Sequence, residues 1–271
     1  METAELEERS LLRPQVKALY RYPVKGLSPE ALTSTIVKAG GSLPFDRAYA
    51  IENGAGRFDP NAPRYLPKTH FLMLMRDERL ASLATTFEDL SQTLTVFRGG
   101  KQVARGELTT TLGRRLIEQF FAAYMKAELR GPPRIVYAPG HSFSDVAAQC
   151  LHIVNLASVR DLARSLGRPV DPLRFRANLY LDGLAPWAEF GWLDKEIDIG
   201  PVRLSAFKRT TRCQATNVDP ATGARDMAIP AHLARTWGHA DFGIYARIIR
   251  GGELSVGATI TGPITSSITG P

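Results

Sequence analysis

The densest run of chemistry-bearing side chains is 203–213, RLSAFKRTTRC. It carries Arg203, Lys208, Arg209 and Arg212, no acid, and ends on Cys213. Cations beside a thiol favour the thiolate, the form that attacks electrophiles and ligates soft metals. After five residues comes Asp219-Pro220-Ala221-Thr222-Gly223. That is turn chemistry, because proline fixes φ and glycine accepts a positive φ. The pattern places a cysteine at a strand end, before a tight loop, in basic surroundings. A small buried thiol flanked by surface arginines would give the same pattern. Cys150 differs: its neighbours Ala147, Ala148, Leu151 and Ile153 are apolar, so it reads as buried and inert.

A second set of donors is Arg174-Phe175-Arg176-Ala177-Asn178. As a strand, it puts Arg174, Arg176 and Asn178 on one face and Phe175, Ala177 and Leu179 on the other. Guanidinium forks fit phosphate, and an amide both donates and accepts, which suits a pterin or purine edge. A solvated sheet face is the plainer alternative. The first half adds Lys25-Gly26 after Tyr22-Pro23-Val24, and Arg47 after Asp46. Asn155 and Ser158, at a strand-to-helix junction, suit helix capping or donation to an anion. The five histidines, His70, His141, His152, His232 and His239, form no metal-ligand spacing. His141, Ser142 and Asp145 lie close in sequence, but triad partners meet in space rather than in order. No G-x-S-x-G elbow, P-loop or G-x-G-x-x-G occurs. Trp187, Trp192, Trp237 and Tyr245 are candidates for an aromatic pocket or for the core.

These residues need short strands to hold them. Alternating or apolar runs predict strands at 16–24, 32–39, 47–53, 71–75, 93–97, 151–156, 177–183, 243–249 and 254–260. A hairpin over 197–208 turns at Gly200-Pro201. Many short strands separated by Gly, Pro and Asn point to a barrel or sandwich. Residues 112–129 carry Leu112, Leu116, Ile117, Phe120, Phe121 and Tyr124 at helical spacing, stopped by Gly131-Pro132-Pro133. Further helices are expected at 158–166 and 231–238. Residues 1–13 and 263–271 read as tails, with the domain boundary at 125–140.

The chain has 271 residues, 44% hydrophobic and 23% charged, which is ordinary globular composition. No apolar run is long enough for a membrane span, and the acidic start lacks a secretory pattern. A cytoplasmic protein with reduced thiols is expected. Two cysteines cannot supply a four-cysteine zinc or iron–sulfur site. Lys and Arg outnumber Asp and Glu 34 to 27, a net charge of +7 that suits an anionic ligand. No nucleic-acid-binding motif accompanies that charge, so neither a nucleic-acid nor a membrane partner is expected.

Tyr22-Pro23-Val24-Lys25, Asp46-Arg47, Arg174 to Asn178, and Thr211-Arg212-Cys213 with Asp219 to Gly223 together resemble the MOSC family. This is the domain found at the C-terminus of molybdenum cofactor sulfurases. The arrangement with a preceding β-barrel is similar to the mitochondrial amidoxime reducing component and its bacterial relatives. The resemblance implies a mostly β fold with peripheral helices (α+β). A MOSC N-terminal β-barrel domain would occupy 14–128 and a MOSC β-barrel 129–262. It implies that Cys213 ligates molybdenum, or carries a persulfide in members that are sulfur carriers. Arg176, Asn178, Thr211 and Arg212 would hold the pyranopterin and its phosphate, with Lys25, Arg47 and Ser158 opposite. Arg174 and Asn155 are added as cofactor contacts from the donor pattern above. Reductase members reduce N-hydroxylated compounds such as amidoximes and hydroxylamines, with electrons from a donor protein. Here that donor, ferredoxin- or cytochrome b5-like, would be separate, because no appended iron–sulfur domain is present. A sulfur carrier would need a sulfur donor instead. The nearest acids in the segment where such reductases have a carboxylate are Asp182 and Glu189, the expected proton donors. Gly26 stands where some members have a hydroxyl side chain.

Overall fold

A computed structural model describes residues 13–54 and 56–264, so the two predicted tails lie almost wholly outside the described residues. Among the described residues the fold is mostly β with three α-helices. Its main sheet has eight strands, in the order β15 (Ile260–Ile264), β11 (Glu196–Ile199), β12 (Val202–Thr211), β13 (Asp241–Arg250), β9 (Leu151–Asn155), β10 (Leu179–Asp182), β1 (Gln15–Arg21), β2 (Glu30–Leu32). Only β9 and β10 run parallel. The sheet curls until its ends meet: Val16 N donates to Ala258 O at 3.0 Å, and Ile260 N to Pro14 O at 2.8 Å. Closure removes exposed edges, and the chain's first described strand thereby completes a barrel built mainly from its second half. Val16, Leu19, Ile153, Leu181, Leu204 and Ile244 fill that barrel.

The other part holds a three-stranded meander, β5 (Leu83–Glu88), β6 (Thr93–Arg98) and β7 (Lys101–Glu107), packed against α1 (Thr111–Tyr124). Two small pairs complete the parts: β4 (Tyr49–Asn53) with β8 (Pro133–Tyr137) packs into the meander core, and β3 (Ser34–Val37) with β14 (Gly252–Ser255) packs on the barrel. Thr110 caps α1 by accepting from Gly113 N at 3.0 Å. The buried row of α1 is Gly113, Ile117, Phe121 and Tyr124, so Leu112 and Leu116, one position earlier, turn outward. The other helices, α2 (Leu156–Leu166) and α3 (Ile229–Trp237), cover the outer face of the barrel with Phe175, Tyr180 and Phe242.

Two expected strands are not strands. Residues 71–75 make a single bridge at Phe71 and then turn, because the Asp77 carboxylate takes the Met73 N–H at 2.9 Å and diverts it from a ladder. Residues 254–260 divide between β14 and β15, with Gly257 at a positive φ in the turn between them. The meander strands β5 and β7 escaped periodicity because they are half-exposed and polar.

Candidate functional site

One cleft gathers chain segments from both parts. It has a cavity volume of about 210 Å³, with Lys25, Arg47, Lys68 and Met73 to Met75 on one side. Opposite are Arg176, Asn178, His152, Tyr245 and the run Lys208 to Cys213.

Local chain geometry explains each position. After β1, Tyr22 is fully buried and its ring lies between two guanidiniums, Arg47 at 4.7 Å and Arg176 at 4.2 Å. Nη2 of Arg47 donates to the Arg176 carbonyl at 2.9 Å, tying the two walls together. Both arginines hold left-handed backbone, φ 53° and 52°. Such a conformation costs a non-glycine residue about 1–3 kcal/mol and concentrates at functional sites. Buried Asp46 accepts from Tyr22 N at 2.9 Å and pairs with Arg47. Gly26 is required: at φ 84°, a Cβ there would meet Leu72 O at 2.9 Å. A hydroxyl side chain therefore has no room at that position.

On the opposite wall, β12 and β13 slip register between Arg209 and Thr211. A bulge re-aims side chains, which is how consecutive residues from Lys208 to Cys213 all reach the cleft. Cys213 is half-buried, in extended backbone at the start of a 3-10 turn over Gln214–Asn217. Asp219 then closes the turn, accepting from Ala221 N at 2.9 Å and Thr222 N at 2.8 Å.

The cleft is electropositive but not uniformly paired. Asp145, 44% exposed, accepts from Lys25 Nζ at 2.5 Å and Lys68 Nζ at 3.4 Å. Burial alone would raise the Asp145 carboxyl, but the charges of Lys25, Lys68 and Arg47 prevail and hold it below the usual range. Burial would lower Lys68, but Asp145 and the Cys213 sulfur outweigh it and keep the ammonium above its ordinary value. Burial pushes Arg176 down to about 10. Among the described residues, Arg176 and Arg212 have no carboxylate partner, and Arg176 Nη2 and Arg212 Nε are buried without any. Burial also pushes the Cys150 thiol up to about 12, so this second cysteine lines the cleft as an inert wall.

The expected site residues fall into two groups. Lys25, Arg47, Arg176, Asn178, Thr211, Arg212 and Cys213 line the cleft. Asn155, Ser158, Arg174, Asp182 and Glu189 do not line it. Residues 174–178 are not a strand: a 3-10 turn over Pro172–Phe175 passes into left-handed Arg176. That turn sends Arg174 away to Asp219 and Asp226. Asn155 caps α2, and both it and Ser158 donate to buried Glu189. Asp182 pairs with Arg160 at 2.7 Å, on the surface. The carboxylates that line the cleft are Asp46 and Asp145. Trp187 and Trp237 pack with the outer core and Trp192 with the barrel, while Tyr245 faces the cleft. Sequence reasoning missed Lys68, Asp145 and His152 as site residues.

Fold and cleft define a two-part, mostly β protein that presents a thiol among half-buried cations. Family models match along nearly all of it, a MOSC N-terminal beta barrel domain over 13–128 and a MOSC domain over 138–261. The chain belongs to the MOSC family. It is 30% identical over 145 residues to mitochondrial amidoxime-reducing component 1 of Mus musculus, covering 49% of this chain and 40% of that one. It is 28% identical over 301 aligned positions to a molybdenum cofactor sulfurase of Anopheles gambiae, covering 96% of this chain and 38% of that one. The matches thus span about two fifths of those relatives. The YUAD protein of Bacillus subtilis aligns over 91% of this chain and 93% of its own, at 12% identity and a TM-score of 0.40, too low to carry an argument. Among the described residues no helix is long and apolar enough to cross a membrane.

Proposed function

We propose that the cleft binds a molybdenum cofactor, with Cys213 as thiolate ligand, and that the protein reduces N-hydroxylated compounds. The supporting observation is the pairing of a half-buried thiol with two half-buried guanidiniums, Arg176 and Arg212, each holding one buried nitrogen without a partner and lacking a carboxylate partner among the described residues. A buried, uncompensated cation is costly, and an anionic phosphate would supply what the chain does not. Thiolate suits a soft metal. When bound, the group supplies two electrons for N–O cleavage, in which an N-hydroxyl, two electrons and two protons give an N–H group and water. The electrons come from an electron-donor protein.

The chain's own contribution is positioning and proton supply. Arg176 and Arg212 bind the phosphate and pterin, with Arg47 fixed beside them by Tyr22 and Asp46, while Asn178, whose amide donates to Tyr20 O and accepts from His152 N, braces the wall behind them. Lys68, held protonated by Asp145 and the Cys213 sulfur, keeps a proton at the cleft for the departing hydroxyl. The chain matched for 96% of its length to a sulfurase favours a second reading, a Cys213 persulfide that transfers sulfur.

Metal and pterin analysis of protein from a molybdenum-replete host separates the two. The first reading expects near-stoichiometric molybdenum, lost at least tenfold in Cys213→Ser, with the cofactor-free forms of variant and wild type melting alike. The second expects a mass gain of one sulfur on Cys213 and no pterin. Metal retained in Cys213→Ser would refute the first.

A further inference from the structure

We propose that His152 is a positioning residue: its Nε2 accepts from Nη1 of Arg212 and so fixes the guanidinium that meets the anionic part of the bound group. The proposal rests on the cofactor reading above only for the identity of that anion.

His152 interrupts β9, whose neighbours Leu151, Ile153 and Val154 are apolar and buried. It is 5% exposed, yet its ring reaches the cleft and lies 5.3 Å from Tyr245. A polar ring in that place costs desolvation, so its hydrogen bond must answer for it. The Nη1 of Arg212 stands 3.3 Å from Nε2. A guanidinium only donates, so Nε2 is the unprotonated nitrogen and the proton sits on Nδ1. Burial, with Arg212 and Arg47 adding to it, holds the imidazole well below its ordinary value and hence neutral.

The consequence is geometric. Nη2 of Arg212 donates to Phe175 O at 2.8 Å. A planar fork anchored at both terminal nitrogens cannot turn, so the partnerless Nε and the remaining N–H groups point in fixed directions. With the His152 acceptor removed, the fork swings about its single remaining anchor. The ring itself is clamped. The His152 backbone N–H donates to Asn178 Oδ1 at 3.0 Å, which fixes the strand that carries the ring against the neighbouring cleft wall. Gly243, at φ 78°, lets β13 close over it: a Cβ there would lie 2.9 Å from His152 Nε2 and 2.5 Å from Ile153 O.

The test uses the full chain, from hosts with and without molybdenum cofactor. Nitrogen-15 NMR of histidine-labelled protein should show His152 with Nδ1 protonated and Nε2 not; the opposite tautomer overturns the proposal. Calorimetric titration of the cofactor-free chain with inorganic phosphate should weaken about tenfold in His152→Leu, the scale of losing a supporting partner. His152→Gln, whose amide oxygen can accept from Arg212, should recover to within about threefold of wild type. Unchanged affinity in His152→Leu, or equal loss in both variants, overturns it. Should His152→Leu not fold, the tautomer decides. Wild type without pterin, but with these phosphate and NMR results, would sink the cofactor reading and leave His152 its role.

Discussion

Arg174 and Arg176 lie two positions apart, on one turn, and face opposite fates. Arg174, 3% exposed, reaches Asp219 at 3.0 Å and Asp226 at 2.8 Å, and donates to the Asn217 carbonyl at 3.2 Å. Its charge is answered by the chain. Arg176 stacks on Tyr22 and has no carboxylate partner among the described residues. Each leaves one buried nitrogen without a partner, so an orphaned N–H alone does not mark a ligand site. What differs is compensation of charge. A buried cation that the fold neutralises is a structural tie; one that it leaves open awaits a ligand.

Exchanging the consequences is the strongest way to break this comparison. Arg176→Met should lower affinity for the cofactor about tenfold to a hundredfold, the worth of one charge-assisted hydrogen bond. Unfolding free energy of the cofactor-free protein should hardly move, because Arg176 is only half-buried and pairs with no carboxylate among the described residues. Arg174→Met should do the reverse, costing about 2–3 kcal/mol in urea melts as Asp219 loses its cationic partner and Asp226 keeps only Arg168, while folded protein keeps its cofactor content. Equal effects on binding and stability in both variants would erase the distinction.

The distinction was half-legible in the sequence. Cys213, Arg176, Asn178 and Arg212 were found because donors cluster on a few short segments, and the Asp-Pro-Ala-Thr-Gly turn marked where the chain doubles back. A period of two then put Arg174 with Arg176, and only the 3-10 turn separates them. Periodicity has no signal for a single left-handed residue. Asp145 and Lys68 escaped because they meet across some eighty positions of chain that include the whole meander and its helix, and His152 because an isolated histidine in an apolar strand looks like core. The barrel was legible from strand spacing, but its closure by residues 14–16 was not, since edge pairing depends on curl rather than composition.

The smallest expected effect sharpens the comparison from the carboxylate side. Glu189 is fully buried, accepting from Ser158 Oγ at 2.9 Å and Asn155 Nδ2 at 3.0 Å. Burial raises its carboxyl despite those hydrogen bonds. A folded value above the unfolded one means the protonated acid is better tolerated in the fold. Its contribution is therefore full below the unfolded value, near 4.3, and fades as pH rises through the folded one. Glu189→Gln imitates the protonated acid. It should be more stable than wild type at pH 7 by about 1 kcal/mol, with the gap closing below about pH 4. Urea melts at both pH values measure this, with cofactor content as control. Loss of cofactor in Glu189→Gln would return this carboxylate to the site; a variant less stable at pH 7 would show that its charge is answered as fully as that of Arg174.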